Sequence, residues 1–344
     1  MDIYRIIRLY RRIKSPRLKL LGILAMHSLH RRYLNLAFDP VLACNLRCRM
    51  CYYSDPEVRK AMGGRFSESD IEAIARSLFH RVLKLQIGCG AEPTVYPRQA
   101  ELVKLAHEHG IPHISFTTNG NLLTREKLEA LAANGLNELI LSTHGMTKAT
   151  YENLMQGAHF EAFLQVLHDF EALRKEKYPQ LQLRINYTFN EDNIDELPLI
   201  PEVLAEARPN VIQIRPIQNI GNSDYDNFSQ QYAIDHYEQC ILPVVRFCQQ
   251  YGITCLYPEK DNLKAVNPDE DNGQHTNSLV ELLPYLYFGP HEGWKERYNP
   301  YEETFEQYSR RTHRVRLMLR HLFGMAKETE VVEVTKALNY TINN

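Results

Sequence analysis

Between residues 33 and 216 six short apolar runs that suit strands alternate with five longer runs that suit helices, about six strand-helix units in all. The strand candidates are Tyr33–Asp39, Leu83–Gly88, His113–Thr118, Glu138–Thr143, Leu181–Thr188 and Val211–Arg215. The helix candidates between them begin with one running to about Phe79, opened by a capping box of Ser69 with Glu72. Arg98–His109, Arg125–Ala133, Phe160–Lys175 and Ile194–Ala207 follow. Strands separated by helices of this length do not pair as hairpins. They pair in parallel, each crossover right-handed. The expected fold is therefore α/β, a partial (β/α)6 TIM-like barrel. A helix over Ala233–Gln250 and a strand over Ile253–Tyr257 close the regular part.

The flanks differ from this core. Residues 1–32 carry nine Lys/Arg against the single acid Asp2, a charge of +8 that leaves −10 on the rest of a chain whose net charge is −2. Arg5, Arg8, Arg11, Arg12, Lys14, Arg17 and Lys19 alternate with Ile, Leu, Tyr and Met, and Pro16 breaks the run. Two short amphipathic helices with basic faces are expected, packed on the barrel or resting on an anionic membrane surface. Past Pro258 the pattern lapses: Asp261–Asn277 is polar and loop-like, and Glu303–Lys327 reads as a basic helix. The expected division is a basic helical arm over 1–32, a core barrel over 33–260, and an α-rich C-terminal extension over 261–344 that caps the barrel. Too few aromatics accompany the basic residues to argue a nucleic-acid surface.

Seven cysteines, an odd number, show no disulfide framework. Three crowd into eight residues, while Cys89, Cys240, Cys248 and Cys255 are scattered. Clustered thiolates of this kind suit metal binding in a reducing compartment. No signal peptide is evident, and no run approaches the ~20 apolar residues of a membrane span. A cytoplasmic protein is expected, in peripheral contact with the inner membrane surface if the basic arm engages lipid. Cys240, Cys248 and Cys255 read as core thiols, and Cys89 as strand-end packing.

Cys44-Asn-Leu-Arg-Cys48-Arg-Met-Cys51 spells C-x3-C-x2-C. Three thiolates so close can converge on one metal centre. A [4Fe–4S] cluster normally takes four cysteines, so three leave one iron open for chemistry. A zinc site would want a fourth ligand at finger-like spacing, and none stands nearby. Spacing alone leaves both open, and three unrelated thiols as well.

This triad resembles the signature of the radical S-adenosylmethionine (SAM) superfamily, whose barrel carries such a loop after its first strand. The resemblance implies metal ligands Cys44, Cys48 and Cys51, a [4Fe–4S] cluster, and SAM chelated at the open iron. It further implies a reducing electron donor such as flavodoxin or ferredoxin, and reductive cleavage of SAM to a 5′-deoxyadenosyl radical that abstracts hydrogen from a substrate. The residue before the last cysteine is usually aromatic in the family; here it is Met50, followed by Tyr52 and Tyr53 after the cysteine.

The remaining motifs fall at strand ends, where barrels place their chemistry. Gly88-Cys89-Gly90-Ala91-Glu92-Pro93 resembles the family's Gly-Gly-Glu-Pro, with Ala91 for the second glycine. The resemblance gives Glu92 the SAM ammonium and brings Gly90 close to the ligand. Thr117-Thr118-Asn119-Gly120 resembles the family's Thr-Asn-Gly stretch, and Ser142 stands where relatives offer a hydroxyl to the SAM carboxylate. Gln156-Gly157 stands where relatives carry an arginine for that carboxylate, and Arg184 is the expected substitute. Asn186 and Asn190 are candidates for the ribose, Tyr52 for a further cofactor contact, and His144 for the substrate. A single cluster is expected, since no cysteine follows Cys255. The competing reading is a non-catalytic iron–sulfur or zinc protein using the same triad for electron transfer or structure. The sequence names no substrate.

Overall fold

The structure, a computed structural model, describes residues 3–218, 223–225, 229–263, 279–325 and 341–343. Its main sheet is built from β1 (Leu34–Phe38), β2 (Val82–Ile87), β3 (His113–Thr118), β4 (Glu138–Thr143), β5 (Gln182–Phe189), β6 (Val211–Pro216), β7 (Thr254–Tyr257), β8 (Tyr285–Phe288) and β9 (Thr341–Asn343). Across the sheet the order is β8-β1-β2-β3-β4-β5-β6-β7-β9. The first eight run parallel, and β9 lies antiparallel to β7. The sheet stays open, so the fold is the expected partial barrel, extended beyond six strands. β8 was not anticipated; it pairs in parallel with β1, Phe38 opposite Phe288.

Alternation along each strand sorts the side chains. Leu34, Leu36, Phe38, Phe116, Leu139, Leu141, Ile185, Tyr187, Ile212 and Ile214 point toward the helices and join one continuous core. The opposite positions are polar: Lys84 and Gln86 on β2, His113 and Ser115 on β3, Glu138 and Ser142 on β4, Arg184, Asn186 and Thr188 on β5, Gln213 and Arg215 on β6. Barrel interiors are ordinarily filled by branched apolar side chains. This concave face is lined for polar contents instead.

Its floor is closed by the N-terminal arm. Helices α1 (Ile3–Arg12) and α2 (Pro16–Ser28) are parted at Pro16, as expected, with Ser15 capping α2 through the Leu18 amide. Ile3 and Tyr4 are buried against Val211 and Leu256. The Tyr4 hydroxyl donates to Glu138 and accepts from Arg184 Nη1 at 3.2 Å. His113 completes this buried knot against Glu138 at 3.4 Å. Burial would raise the Glu138 pKa, but His113, Lys84 and Arg184 outweigh it and hold the carboxyl near 2.

Four expectations about helices need correction. The capping box is formed by Ser67 with Asp70, two residues before the expected pair, and the helix runs Glu68–Leu78. The expected helix Ile194–Ala207 is a 3-10 stretch (Ile194–Leu199) and one turn (Ile200–Val203), because Pro198 and Pro201 withhold amide donors. Ala233–Gln250 is two helices, Gln231–Asp235 and Tyr237–Tyr251. The basic helix expected over Glu303–Lys327 is split into Phe305–Arg311 and Arg314–Leu322 by His313, whose φ of 52° is left-handed. Its last two residues and most of the Asp261–Asn277 loop lie outside the described residues. The cysteines behave as core thiols: Cys240, Cys248 and Cys255 are buried.

Candidate active site

The cysteine loop leaves β1 and is pinned from several sides. Arg47–Cys48 forms a short antiparallel ladder with Met155–Gln156, and the Arg49 amide donates to Leu154 O at 2.9 Å. The Arg47 guanidinium reaches back to the carbonyls of Cys44 (2.9 Å) and Leu46 (2.6 Å). Gln156, standing where relatives carry an arginine, is therefore a backbone partner of Arg47 and is itself exposed. All three cysteines are free thiols and half-buried. Burial pushes the Cys44 thiol up to about 12, and burial followed by the charges of Cys44 and Cys51 raises Cys48 well above the ordinary range. Three thiols that raise one another's pKa lie close together, and bound iron would relieve the repulsion by taking them as thiolates. Among the described residues no three Cys, His, Asp or Glu side chains enclose a point as ligands of a single ion would. A cubane makes no such demand, because each cysteine binds its own iron.

Facing the triad, the turn after β2 is fixed by groups the motif comparison did not single out. Gly88 has a φ of 81°, and a Cβ there would strike the Thr117 carbonyl and sit 2.7 Å from Pro93 Cγ. Asp39, buried at the end of β1, accepts from the Cys89 amide (2.7 Å), the Gly90 amide (2.9 Å) and the Tyr287 hydroxyl (2.9 Å). Tyr52 donates to the Gly90 carbonyl at 2.7 Å and so ties the cysteine loop to this turn. A single acid closing an apolar strand just before the cysteine loop was the only sequence sign of Asp39's role. The signal for Tyr287 lay in a segment without recognisable pattern.

Glu92 is buried and held by four donors. Its Oε1 accepts from the Thr94 amide (3.1 Å), Thr94 Oγ1 (2.6 Å) and Thr118 Oγ1 (2.7 Å), and its Oε2 from the Asn119 amide (2.8 Å). Burial raises its pKa, and these hydrogen bonds offset part of the rise. Two oxygens offer about four acceptor sites, and Oε2 is used once, so room remains there for one further donor. Asn119 in turn donates from Nδ2 to Asn45 Oδ1 at 2.9 Å, joining the end of β3 to the cysteine loop. Glu92, Gly90, Asn119, Tyr52 and the triad therefore form one connected assembly.

Ser142 is half-buried on β4, opposite Asn186 of β5, and makes no hydrogen bond with the described residues. Arg184 sits lower in the barrel. Its Nε donates to Asn186 at 2.8 Å, and its other nitrogens to Tyr4 and Gln213, so its hydrogen bonding is directed at the floor. Met50 is buried with Leu154, Ile217 and Tyr225 in a small apolar cluster of its own. Cys89 Sγ packs onto the Gln86 carbonyl at 3.5 Å. Asn190 and His144 stand at the mouth near β5 and β6, their chains fixed by Asn193.

An open parallel barrel with three thiols on the loop after β1 and a connected polar assembly at its strand ends defines a class, and comparison with known proteins agrees with it. Residues 40–179 match the model of the radical SAM superfamily. The GTP 3′,8-cyclase of Chlorobaculum tepidum is 29% identical over 166 residues, 48% of each chain. The PqqA peptide cyclase of Ruegeria pomeroyi is 28% identical over 179 residues, 51% of this chain and 45% of its own. Among solved structures, Streptococcus suis SuiB superimposes with a TM-score of 0.53 at 18% identity, over 72% of this chain and 53% of that one. The match to that model is confined to residues 40–179, and the chain spans about half the length of the curated relatives it matches.

Proposed function

We propose that this protein is a radical SAM enzyme acting on a substrate its sequence does not name. The observation that carries the reading is the assembly of Cys44, Cys48 and Cys51 with Glu92 and Asn119 through Tyr52, Asn45 and the Gly88–Pro93 turn. Within it the three thiols would hold a [4Fe–4S] cluster. Glu92 Oε2 and the Ser142 hydroxyl offer the acceptor and donor that the ammonium and carboxylate of SAM require. Arg184 would act at one remove, orienting Asn186. When bound and reduced by a donor such as flavodoxin or ferredoxin, the cluster supplies the electron that splits SAM into methionine and a 5′-deoxyadenosyl radical. The chain's own residues position SAM and exclude water from the turn. Anaerobically reconstituted protein is expected to release 5′-deoxyadenosine under strong reductant, and Cys48→Ala to abolish both the cluster's absorbance and this product. An intact wild-type cluster that never cleaves SAM would sink the reading and leave the electron-transfer alternative. Zinc in place of iron after anaerobic purification would favour the structural one.

A peripheral site on an anionic membrane surface is the proposed location. Ten of the sixteen exposed large apolar side chains among the described residues lie at Leu9–Leu29 or Val315–Met325. Helix α2 is apolar on both sides: Leu20 and Ile23 face the core, while Leu18, Leu21 and Leu29 face solvent. Helix Arg314–Leu322 packs beside it and exposes Val315 and Leu319. Arg12, Lys14, Arg17, Arg310 and Arg316 border the patch, and no acid occurs in 3–32 or 310–325. An apolar strip framed by cations fits an anionic bilayer surface. No helix among the described residues is long and apolar enough to cross one. The protein should sediment with phosphatidylglycerol-rich vesicles, less so at high salt, and a Leu18→Ser, Leu21→Ser double variant should stay in solution. Equal recovery with pure phosphatidylcholine would count against it.

A further inference from the structure

The β5–β6 side of the barrel mouth holds a cation, Arg215, that no ion pair engages among the described residues. Arg215 points into the barrel, two residues after Gln213, which bonds Arg184 on the same face. Protein crowds it closely enough that burial, followed by repulsion from Arg184, lowers its pKa, while Cys51 across the mouth acts in the opposite sense. Its surface nonetheless remains open to solvent. Its Nε donates to Thr188 Oγ1 at 2.9 Å, and no other hydrogen bond and no ion pair engages it among the described residues. Its free guanidinium edge matches the two oxygens of a carboxylate or phosphate.

The neighbours are prepared for the same ligand. His144, close enough for Arg215 to lower its pKa, has a buried Nδ1 with no hydrogen-bond partner. Asn190, more than nine-tenths buried, has an Nδ2 without a well-aligned acceptor among the described residues, the Tyr225 hydroxyl being its nearest polar neighbour. Asn193 locks the three segments together, donating to His144 O (2.8 Å) and Thr188 O (3.0 Å) and accepting from the Asn190 amide (2.7 Å). We propose that Arg215, aligned by Thr188 and flanked by His144 and Asn190, binds an anionic group of the substrate, a carboxylate or phosphate, in the barrel mouth facing the cysteine loop. The site rests on the radical SAM reading, and narrows the substrate of that reading to an organic acid or phosphate ester.

Under the same reading SAM brings a carboxylate of its own to the barrel mouth, so the experiment has to separate the two. Reconstituted protein saturated with SAM is titrated with inorganic phosphate, followed by thermal shift, and its SAM affinity is measured by equilibrium dialysis. The expectation is that phosphate raises the melting temperature of wild type and of the surface control Lys104→Gln. Arg215→Gln loses the rise, Arg215→Lys keeps part of it, and SAM affinity stays within about twofold in both Arg215 variants. A phosphate response unchanged in Arg215→Gln overturns the proposal. So does a loss of SAM affinity of tenfold or more in folded Arg215→Lys, which would assign the arginine to SAM. Failure of the enzyme reading looks different: wild type would bind phosphate through Arg215 yet never release 5′-deoxyadenosine.

Discussion

At the scale of single residues, the turn facing the triad depends on two positions that bear no cofactor. Asp39 satisfies two backbone amides and the Tyr287 hydroxyl from a buried site. In Asp39→Asn one oxygen becomes an amide that faces donors, stranding at least one of them at a cost of about 1–3 kcal/mol. Urea denaturation should show that loss, and cluster incorporation should fall with it because Tyr52 holds the Gly90 carbonyl of the same turn. Unchanged stability would mean that water replaces the lost acceptor. Gly88→Ala is expected to be more severe. The left-handed φ alone costs about 1–2 kcal/mol for a residue with a Cβ, and that Cβ would also press on Pro93 and the Thr117 carbonyl. Soluble Gly88→Ala protein with wild-type melting would show that the turn can shift without strain.

At the scale of elements, α2 buries Leu20 and Ile23 in the core and adds one polar anchor, His27. His27 meets Tyr33 Oη at 2.9 Å and Ser309 Oγ at 3.1 Å, between α2, the start of β1 and helix Phe305–Arg311. Burial, then the charges of Arg81, Arg314 and His30, pulls its pKa down to about 4 against the opposing pull of Glu306. Below the ordinary histidine range the unfolded chain takes up a proton that the folded chain refuses. This contribution is therefore complete above about pH 6.5 and drains away as the pH falls toward 4. His113 and His144 are depressed as well, so the diagnostic quantity is a difference. The melting-temperature gap between wild type and His27→Gln should narrow over that window, and a constant gap would refute the assignment. What the sequence revealed follows the same physics. Strands β1 to β7 were readable because one face is apolar and the other polar, and α1 and α2 because Pro16 parts them. Pro198, a left-handed His313 and the strand β8 were not, since a break or an edge strand is decided by distant partners. That the triad, Glu92 and Asn119 would come together was legible because their motifs all fall at the ends of neighbouring strands. The partners of Arg184 were not legible although its place on β5 was, since Tyr4, which bonds it, arrives from 180 residues away.

At the scale of the whole molecule, the segments flanking the central strands floor and edge a barrel that stays open. The N-terminal arm closes the floor through Tyr4. The segment after residue 279 covers the β1 edge, with the Asn35 amide donating to Pro284 O at 2.6 Å and the Asp39 amide to Phe288 O at 2.9 Å. Without β8, the β1 strand would present unpaired amides and carbonyls along an apolar strand, the usual template for edge-to-edge association. The same segment supplies Tyr287 to Asp39, so the fate of the sheet edge and that of the cluster turn are coupled. A chain ended after Leu263 is therefore expected to associate at micromolar concentration, to melt well below the full chain, and to incorporate less iron per protein. Tyr287→Phe separates the two effects: it keeps β8 and its backbone pairing while removing one donor from Asp39. It should leave the association state seen by light scattering as in the unaltered protein, with a stability loss of about 1 kcal/mol and reduced iron incorporation alone. If the shortened chain stays monomeric and loads iron as well as the full one, β8 is an ornament of the edge, and Asp39 holds the turn unaided.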